Sequence, residues 1–233
     1  MDFCGLQKTT LLDYPGHVAA TLFTGGCNFR CPYCHNSELL PAGVPCLYSE
    51  DDILTFLTKR KGVLEGICIT GGEPALHRNL PDFIRRARSL GYLIKLDTNG
   101  SNPAMLETLI GEGLVDYVAM DIKNSPEKYA ETAGVPGLSL EPIKKSARLL
   151  LNGTLPYEFR TTVTRELHTP RDFQEIAGWL SGSRAYYIQN YRDSEQVLCR
   201  DRFHPCSGEQ LLEFAEILKT KIPAAAVRGL ESV

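Results

Sequence analysis

The chain has 233 residues, 43% of them hydrophobic, and a net charge of −3 with no basic run longer than Lys59-Arg60-Lys61, which excludes a polyelectrolyte surface for nucleic acid. No apolar stretch approaches the roughly 20 residues that span a bilayer, and the N-terminus lacks the pattern of a signal peptide. We therefore expect a cytoplasmic protein that binds neither nucleic acid nor membrane, and whose eight cysteines are thiols rather than disulfides.

Strand patterns recur along the chain. After an N-terminal arm or short hairpin at residues 2–16, apolar β-branched runs predict strands that are buried on both faces. These runs are Val18–Thr24, Gly66–Thr70, Leu93–Thr98, Val115–Ile122, Tyr157–Val163 and Ala185–Asn190. A later strand is expected at Ala224–Val227.

Helical patterns with recognisable N-terminal signals lie between these runs. The expected start signals are Ser49, Asn102-Pro103, Ser139 to Pro142, Thr169-Pro170 and Ser207. Six strand–helix repeats predict an α/β fold with a parallel sheet wound in one direction. We find no linker that divides the chain, so we expect one domain over 1–233, with an arm at 1–16, a core at 17–192 and a C-terminal helix and strand at 193–233.

A cysteine cluster follows the strand that begins at Val18. Cys27, Cys31 and Cys34 have the spacing C-x3-C-x2-C, which lets three soft thiolates reach one iron–sulfur or zinc centre. A structural zinc site with His35 or a distant cysteine as fourth ligand is the alternative, but the second knuckle that such sites use is missing. A four-iron cluster held by three thiolates keeps one iron open, as a catalytic centre requires.

This spacing resembles the signature of the radical S-adenosylmethionine (SAM) superfamily, with Tyr33 before the last cysteine. The continuation Cys34-His35-Asn36 resembles enzymes that activate glycyl-radical enzymes. Asp13-Tyr14-Pro15-Gly16 and Phe23-Thr24-Gly25-Gly26-Cys27 are similar to the longer form of anaerobic ribonucleoside-triphosphate reductase activating proteins. The resemblance implies a partial (β/α)6 TIM-like barrel, a [4Fe-4S] cluster held by the three catalytic cysteines, and SAM. It also implies a reductase partner that receives a glycyl radical, and a flavodoxin or ferredoxin as electron donor.

Polar motifs follow the next strands. Gly71-Gly72-Glu73 offers free carbonyls and a carboxylate to an ammonium group, which the resemblance identifies as that of the cofactor's methionine. Asp97 with Asn99, and Asp121 with Lys123, lie at strand ends where barrel active sites assemble. The two aspartates are candidates for ribose hydroxyls or a monovalent cation, and Lys123 for the cofactor's carboxylate.

Further cofactor contacts are expected from Tyr33 and Asn36, and from Gln189 or Arg192, which stand where many relatives have a histidine. Arg160 is expected to meet a carboxylate if it faces the barrel interior. Most of the histidines outside motifs are expected at the surface or as caps; they are His17, His77, His168 and His204. No role is predicted for four cysteines, namely Cys4, Cys46, Cys199 and Cys206.

Two further functions remain open at this point. Only Cys46 and Cys68 lie between Cys34 and Gly71, which leaves no room for an insert with extra clusters. A reductase activase is therefore expected first, a pyruvate formate-lyase-type activase second, and a radical enzyme acting on a small molecule, such as a deazapurine ring-contraction catalyst, third.

Overall fold

The computed structural model describes residues 1–229, which contain alternating strands and helices. The strands are β1 (Gly5–Thr10), β2 (Ala19–Thr24), β3 (Gly66–Gly71), β4 (Leu93–Thr98), β5 (Tyr117–Asp121), β6 (Tyr157–Val163), β7 (Tyr186–Asn190) and β8 (Ala225–Arg228). The α-helices are α1 (Glu50–Lys59), α2 (Leu80–Ser89), α3 (Pro103–Gly111), α4 (Tyr129–Thr132), α5 (Glu141–Asn152), α6 (Pro170–Trp179) and α7 (Gly208–Lys219). No helix in this part of the chain is long and apolar enough to cross a membrane.

These elements confirm the predicted α/β alternation. Every predicted strand is present, with ends shifted by at most two residues. The predicted arm contains β1, which pairs with β2 in antiparallel fashion. Two helices were not predicted. Helix α2 has no side-chain cap at its start, and α4 has only four residues, so no helical period can develop over its one turn.

The structure divides into two compact units. The first comprises residues 1–28, 38–119 and 154–156, and the second comprises residues 29–37, 120–153 and 157–229. The expectation of a single domain stays a prediction.

The first unit is built on a parallel sheet. In it β2 pairs with β3, and β3 with β4, both in parallel register. The strands carry fully buried aliphatic side chains, and the helices bury one face each, so their apolar surface stabilises the unit by removal from water. The buried residues include Leu22, Ile67, Ile69 and Leu96 on strands, and Ile53, Leu57, Phe83 and Leu109 on helices.

Helix starts in this unit follow the predicted signals. The Ser49 side chain accepts a hydrogen bond from the Asp52 backbone N–H at 3.2 Å, and the Asp52 carboxylate accepts one from Ser49 N–H at 2.9 Å. Asn102 caps α3 by accepting from Met105 N–H at 3.2 Å. These caps fix where α1 and α3 begin, and therefore fix the lengths of the loops that follow β2 and β4.

The second unit repeats the same arrangement. Strands β6, β7 and β8 pair in parallel, with Phe159 opposite Tyr186 and Tyr186 opposite Ala225. Phe173 of α6 and Phe214 of α7 stack with ring centroids 4.4 Å apart. Parallel strands end on one edge of a sheet, so polar residues that follow β6 and β7 collect at a common edge.

Candidate active site

In the first unit, Cys27 follows a turn of two glycines, Gly25 and Gly26, at the end of β2. Gly26 N–H donates to the Leu39 carbonyl at 2.7 Å, and Cys27 N–H donates to the Leu40 carbonyl at 3.1 Å. The turn is therefore held by backbone bonds to the segment before α1. Cys27 itself is half-buried.

Gly71 and Gly72 lie directly against this turn. Gly72 N–H donates to the Thr24 carbonyl and Glu73 N–H to the Gly26 carbonyl, both at 2.8 Å. A Cβ on Gly72 would lie 2.1 Å from the Gly26 carbonyl oxygen, and Gly71 has φ +112°. Only glycine fits this close approach, so the glycine pair anchors the loop that presents Cys27.

The Glu73 carboxylate is buried and turned into the protein. It accepts hydrogen bonds from Ala75 N–H at 3.0 Å, from the Thr98 hydroxyl at 2.6 Å and from Asn99 N–H at 2.6 Å. Its exposed fraction is 1%. Glu73 thus ties the loop after β3 to the loop after β4, a role that sequence spacing did not indicate.

Asn99 continues this network to the cysteine. Its side-chain amide donates to the Asn28 side-chain oxygen at 3.0 Å and lies 3.9 Å from the Cys27 sulfur. Its own side-chain oxygen accepts from Ser101 N–H at 2.9 Å, which fixes the orientation of the amide. The structure therefore brings Cys27, Glu73 and Asn99 into one network.

Asp97 belongs to a different contact. Its carboxylate forms an ion pair with Lys95, whose side chain is almost fully buried. The Lys95 ammonium also lies 3.7 Å from the Cys68 sulfur. A buried lysine needs such a partner, so the charge of Asp97 is compensated within the protein.

The second unit holds Cys31 and Cys34 in a tight turn. Cys34 N–H donates to the Cys31 carbonyl at 3.0 Å. Burial raises the pKa of the Cys34 thiol, and the backbone hydrogen bond from Asn36 and the charge of Lys123 oppose that effect. Positive charge and N–H donors therefore already point at this sulfur.

Residues 191–199 form hydrogen bonds with the segment that carries Cys31 and Cys34. Leu198 N–H donates to the Cys34 carbonyl at 3.1 Å, and Cys199 N–H donates to the Pro32 carbonyl at 2.8 Å. The His35 ring bonds the backbone carbonyl of Arg192, whose side chain is exposed. The contact from Arg192 to the cysteine loop is thus made by its backbone.

Tyr33 carries a buried hydroxyl. Its side chain is 4% exposed, and its hydroxyl oxygen has no hydrogen-bond partner among residues 1–229. Burial raises the pKa of this phenol. A buried polar group without a partner is costly, so a ligand that bonds the Tyr33 hydroxyl would remove that cost.

Asp121 lies between two cations. The Lys123 ammonium is 3.0 Å from one carboxylate oxygen, and the Arg160 guanidinium donates to the other at 3.0 Å. Burial alone would raise the pKa of Asp121, but Lys123 and Arg160 outweigh it and lower the pKa to about 2. The pKa of Lys123 is raised in turn, because Asp121 outweighs the effect of burial. As predicted, Arg160 meets a carboxylate.

One of the histidines outside motifs, His168, is neither at the surface nor a cap. His168 is buried rather than exposed: its Nδ1 accepts from Thr164 N–H at 3.2 Å, and its Nε2 lies 3.0 Å from the Lys123 carbonyl. Nε2 must carry the proton to bond a carbonyl, and burial lowers the pKa of the ring, so the imidazole is neutral. His77 is a capping residue, as expected: it is the C-cap of the 3-10 helix Pro74–Leu76, and its Nε2 donates to the Gly25 carbonyl at 2.9 Å. Gln189 lies on β7 and is half-buried.

The donor set suits an iron–sulfur cluster. None of the eight cysteines forms a disulfide, and N–H donors lie near the sulfurs of Cys27 and Cys34. Within residues 1–229 no three His, Cys, Asp or Glu side chains gather as they would around one metal ion.

Comparison with known proteins decides the family. Residues 21–180, more than half of the chain, match the model of the Radical SAM superfamily. The chain belongs to the radical SAM superfamily. It is 30% identical over 236 residues to a Methanocaldococcus jannaschii protein provisionally named a glycyl-radical enzyme activating enzyme, with 97% of this chain and 95% of that protein covered. It is also 38% identical over 79 residues to the 7-carboxy-7-deazaguanine synthase of Aquifex aeolicus, with 33% of each chain covered.

Two solved structures share the fold. SuiB of Streptococcus suis bound to its precursor peptide SuiA aligns with a TM-score of 0.70 at 15% identity, over 90% of this chain and 48% of SuiB. This chain thus spans about half the length of SuiB. A domain of pyruvate-formate lyase-activating enzyme from Bacteroides vulgatus aligns with a TM-score of 0.57 at 18% identity, over 70% of this chain and 99% of that domain. The predicted α/β fold, with the parallel strands typical of radical SAM partial barrels, is confirmed.

Proposed function

We propose that this radical SAM enzyme generates a glycyl radical on an anaerobic ribonucleoside-triphosphate reductase. The observation that carries the proposal is the similarity over 97% of the chain to a protein provisionally named a glycyl-radical enzyme activating enzyme. The sequence motifs Asp13 to Gly16 and Phe23 to Cys27 support the reductase as the partner, and Cys34 to Asn36 supports an activase in general. The short stretch between Cys34 and Gly71 supports an activase with a single cluster.

In this proposal Cys27, Cys31 and Cys34 are the catalytic residues and hold a [4Fe-4S] cluster. The bound cluster and SAM supply the 5′-deoxyadenosyl radical that takes a hydrogen atom from the partner's glycine. The protein's own contribution is to position the ligands and to exclude water. Asn99 orients its amide toward the Cys27 sulfur, and hydrogen bonds to sulfur raise the reduction potential of such clusters.

The strand-end residues are proposed to bind SAM. Gly71 and Gly72 bring their backbone next to the Cys27 turn, and Glu73 supports that position through its three hydrogen bonds. Lys123 is proposed to attract the carboxylate of the methionine moiety, with Asp121 and Arg160 holding its side chain in place. Further proposed contacts come from Tyr33, Asn36, Asp97, Asn99, Gln189 and Arg192.

Several accompanying features stay proposals. A monovalent cation at Asp97 or Asp121 would join carboxylates that already have lysine or arginine partners. A flavodoxin or ferredoxin is the proposed reductant, and the cytoplasm the proposed location. We also propose that residues 1–233 act as one domain.

Cluster loading tests the cysteine assignment. Anaerobic reconstitution of the wild-type protein should give a brown protein with about four irons, as for one such cluster, and dithionite should start SAM cleavage. Cys31→Ala should abolish both, whereas Cys199→Ala, at a cysteine outside the triad, should retain both. Colourless protein with one zinc, or SAM cleavage by Cys31→Ala, would refute the assignment.

The partner is tested with two candidate substrates in parallel. Reconstituted enzyme, SAM and a reductant are mixed with an anaerobic ribonucleoside-triphosphate reductase or with a pyruvate formate-lyase, and glycyl radical is measured by electron paramagnetic resonance. We expect a signal with the reductase. A signal with the lyase alone would establish the second candidate, and SAM cleavage with neither signal would favour a small-molecule substrate.

A further inference from the structure

Two cysteines outside the triad lie in direct contact. The sulfur atoms of Cys4 and Cys46 are 2.9 Å apart, although 42 residues separate them in the chain. Cys4 is 8% exposed, whereas Cys46 is exposed to solvent. One thiol is therefore accessible to a solute and the other is protected behind it.

Backbone hydrogen bonds hold the two thiols together. Phe3 N–H donates to the Tyr48 carbonyl at 2.8 Å, and Leu47 N–H donates to the Phe3 carbonyl at 3.0 Å. Cys4 N–H donates to the Phe23 carbonyl at 2.7 Å, next to the end of β2. Phe3 precedes Cys4 and Leu47 follows Cys46, so these backbone hydrogen bonds hold the two cysteine-bearing segments side by side.

The pair also adjoins the turn that presents Cys27. A Cβ placed on Gly25 would lie 2.7 Å from the Cys4 sulfur and 2.3 Å from the Val44 side chain. Residues 39 and 40, on the segment that leads to Cys46, accept the backbone bonds of Gly26 and Cys27. A change at the Cys4–Cys46 contact therefore takes place beside the turn that carries the first triad cysteine.

We infer that Cys4 and Cys46 form a redox-active dithiol that closes to an intramolecular disulfide by exchange with a low-molecular-weight disulfide. Closing the bond requires the sulfurs to approach from 2.9 Å to about 2.05 Å, which is a small movement. Exposure makes Cys46 the thiol that meets the reagent, and burial makes Cys4 the thiol that resolves the product.

The thiol–disulfide exchange proceeds in two steps. The Cys46 thiol gives its proton to solvent, and the resulting thiolate attacks one sulfur of the reagent RSSR, which forms a Cys46–SR mixed disulfide and releases RS⁻. The Cys4 thiol then gives its proton to solvent and attacks the Cys46 sulfur, which forms the Cys4–Cys46 bond and releases the second RS⁻. The two cysteines lose two electrons and the reagent gains them. Burial, and secondly the Cys46 contact, raise the pKa of Cys4 to about 12, so Cys4 is protonated in the reduced pair.

Oxidised glutathione serves as the test reagent. The anaerobically reconstituted enzyme is incubated in glutathione buffers of rising oxidised fraction, quenched with acid and N-ethylmaleimide, and digested for mass spectrometry. In the wild type we expect a linked peptide pair through Cys4 and Cys46, without glutathione on Cys46. Cys4→Ser should instead retain glutathione on Cys46, and Cys46→Ser should give neither product.

Controls keep the test independent of folding defects. Cys46 is exposed, so Cys46→Ser should fold normally, and Cys199→Ser should behave as wild type. Three results would each overturn the inference: glutathione that remains on wild-type Cys46, a linkage to a cysteine other than Cys4, or full alkylation of both thiols in fully oxidised buffer. The readout is independent of the identity of the radical acceptor.

Discussion

Replacing Glu73 by glutamine tests whether this buried carboxylate holds the strand-end loops together. Its two oxygens accept from Ala75 N–H, from the Thr98 hydroxyl and from Asn99 N–H. In either orientation of a glutamine amide, its NH2 group faces a backbone N–H donor, from Ala75 or from Asn99. Two buried donors then lack an acceptor, at a cost of about 1–2 kcal/mol each, so we expect a loss of roughly 2–4 kcal/mol in the free energy of unfolding.

Urea unfolding measured by circular dichroism gives this number directly. For a chain of this size the same loss lowers the melting temperature by roughly 4–15 °C. Glu213→Gln, at an exposed position of α7, is the matched control and should change the unfolding free energy by less than about 0.5 kcal/mol. If Glu73 instead served mainly to bind the cofactor, Glu73→Gln would weaken SAM binding and leave unfolding unchanged. That outcome would refute the structural role.

Three other predictions concern stability. Gly72→Ala forces a Cβ to 2.1 Å from a backbone oxygen and should lower the free energy of unfolding by about 3 kcal/mol or more. Gly111→Ala is the control, because a Cβ there meets no atom of residues 1–229 within 4 Å, and it should be neutral or slightly stabilising. Equal effects of the two substitutions on thermal unfolding would contradict this prediction. The pKa of Asp121 falls from 3.8 to about 2 on folding, so the ionised carboxylate stabilises the folded protein above about pH 4, and this contribution is lost as the pH falls toward 2. Asp121→Asn should therefore reduce the acid dependence of the unfolding free energy by at most about 2 kcal/mol, measured by urea unfolding between pH 2 and 5. Burial lowers the pKa of His168 below 6.5, so the free energy of unfolding should fall as the pH drops from 7 to 5. His168→Gln can keep the hydrogen bonds to Thr164 N–H and to the Lys123 carbonyl, and it should flatten that pH profile. An identical slope in the variant would contradict a neutral buried ring.

The fold was predictable because its signals are local. The strand at 66–70 and the strand at 93–98 are apolar β-branched runs, and Ser49 and Asn102 mark helix starts within a few residues. The cysteine loop was found in the same way, since all three thiols lie within eight residues of sequence.

Contacts between distant segments could not be predicted. Glu73 is 25 residues from Thr98, and the Cys4 and Cys46 sulfurs meet over 42 residues, so no period or spacing connects them. His168 has no motif around it, and its burial against the Lys123 carbonyl depends on how the chain after β6 packs. For Arg160 the sequence suggested a carboxylate partner, but only the structure identified Asp121. Such pairings depend on strand register, which one sequence does not fix.

The most direct test of the central claim follows one hydrogen atom. A reductase produced with glycine deuterated at Cα is mixed with the reconstituted enzyme, SAM and a reductant, and the 5′-deoxyadenosine that forms is analysed by mass spectrometry. The proposal predicts transfer of deuterium into 5′-deoxyadenosine, in step with the appearance of the glycyl radical. Formation of unlabelled 5′-deoxyadenosine in the presence of fully deuterated reductase would contradict it.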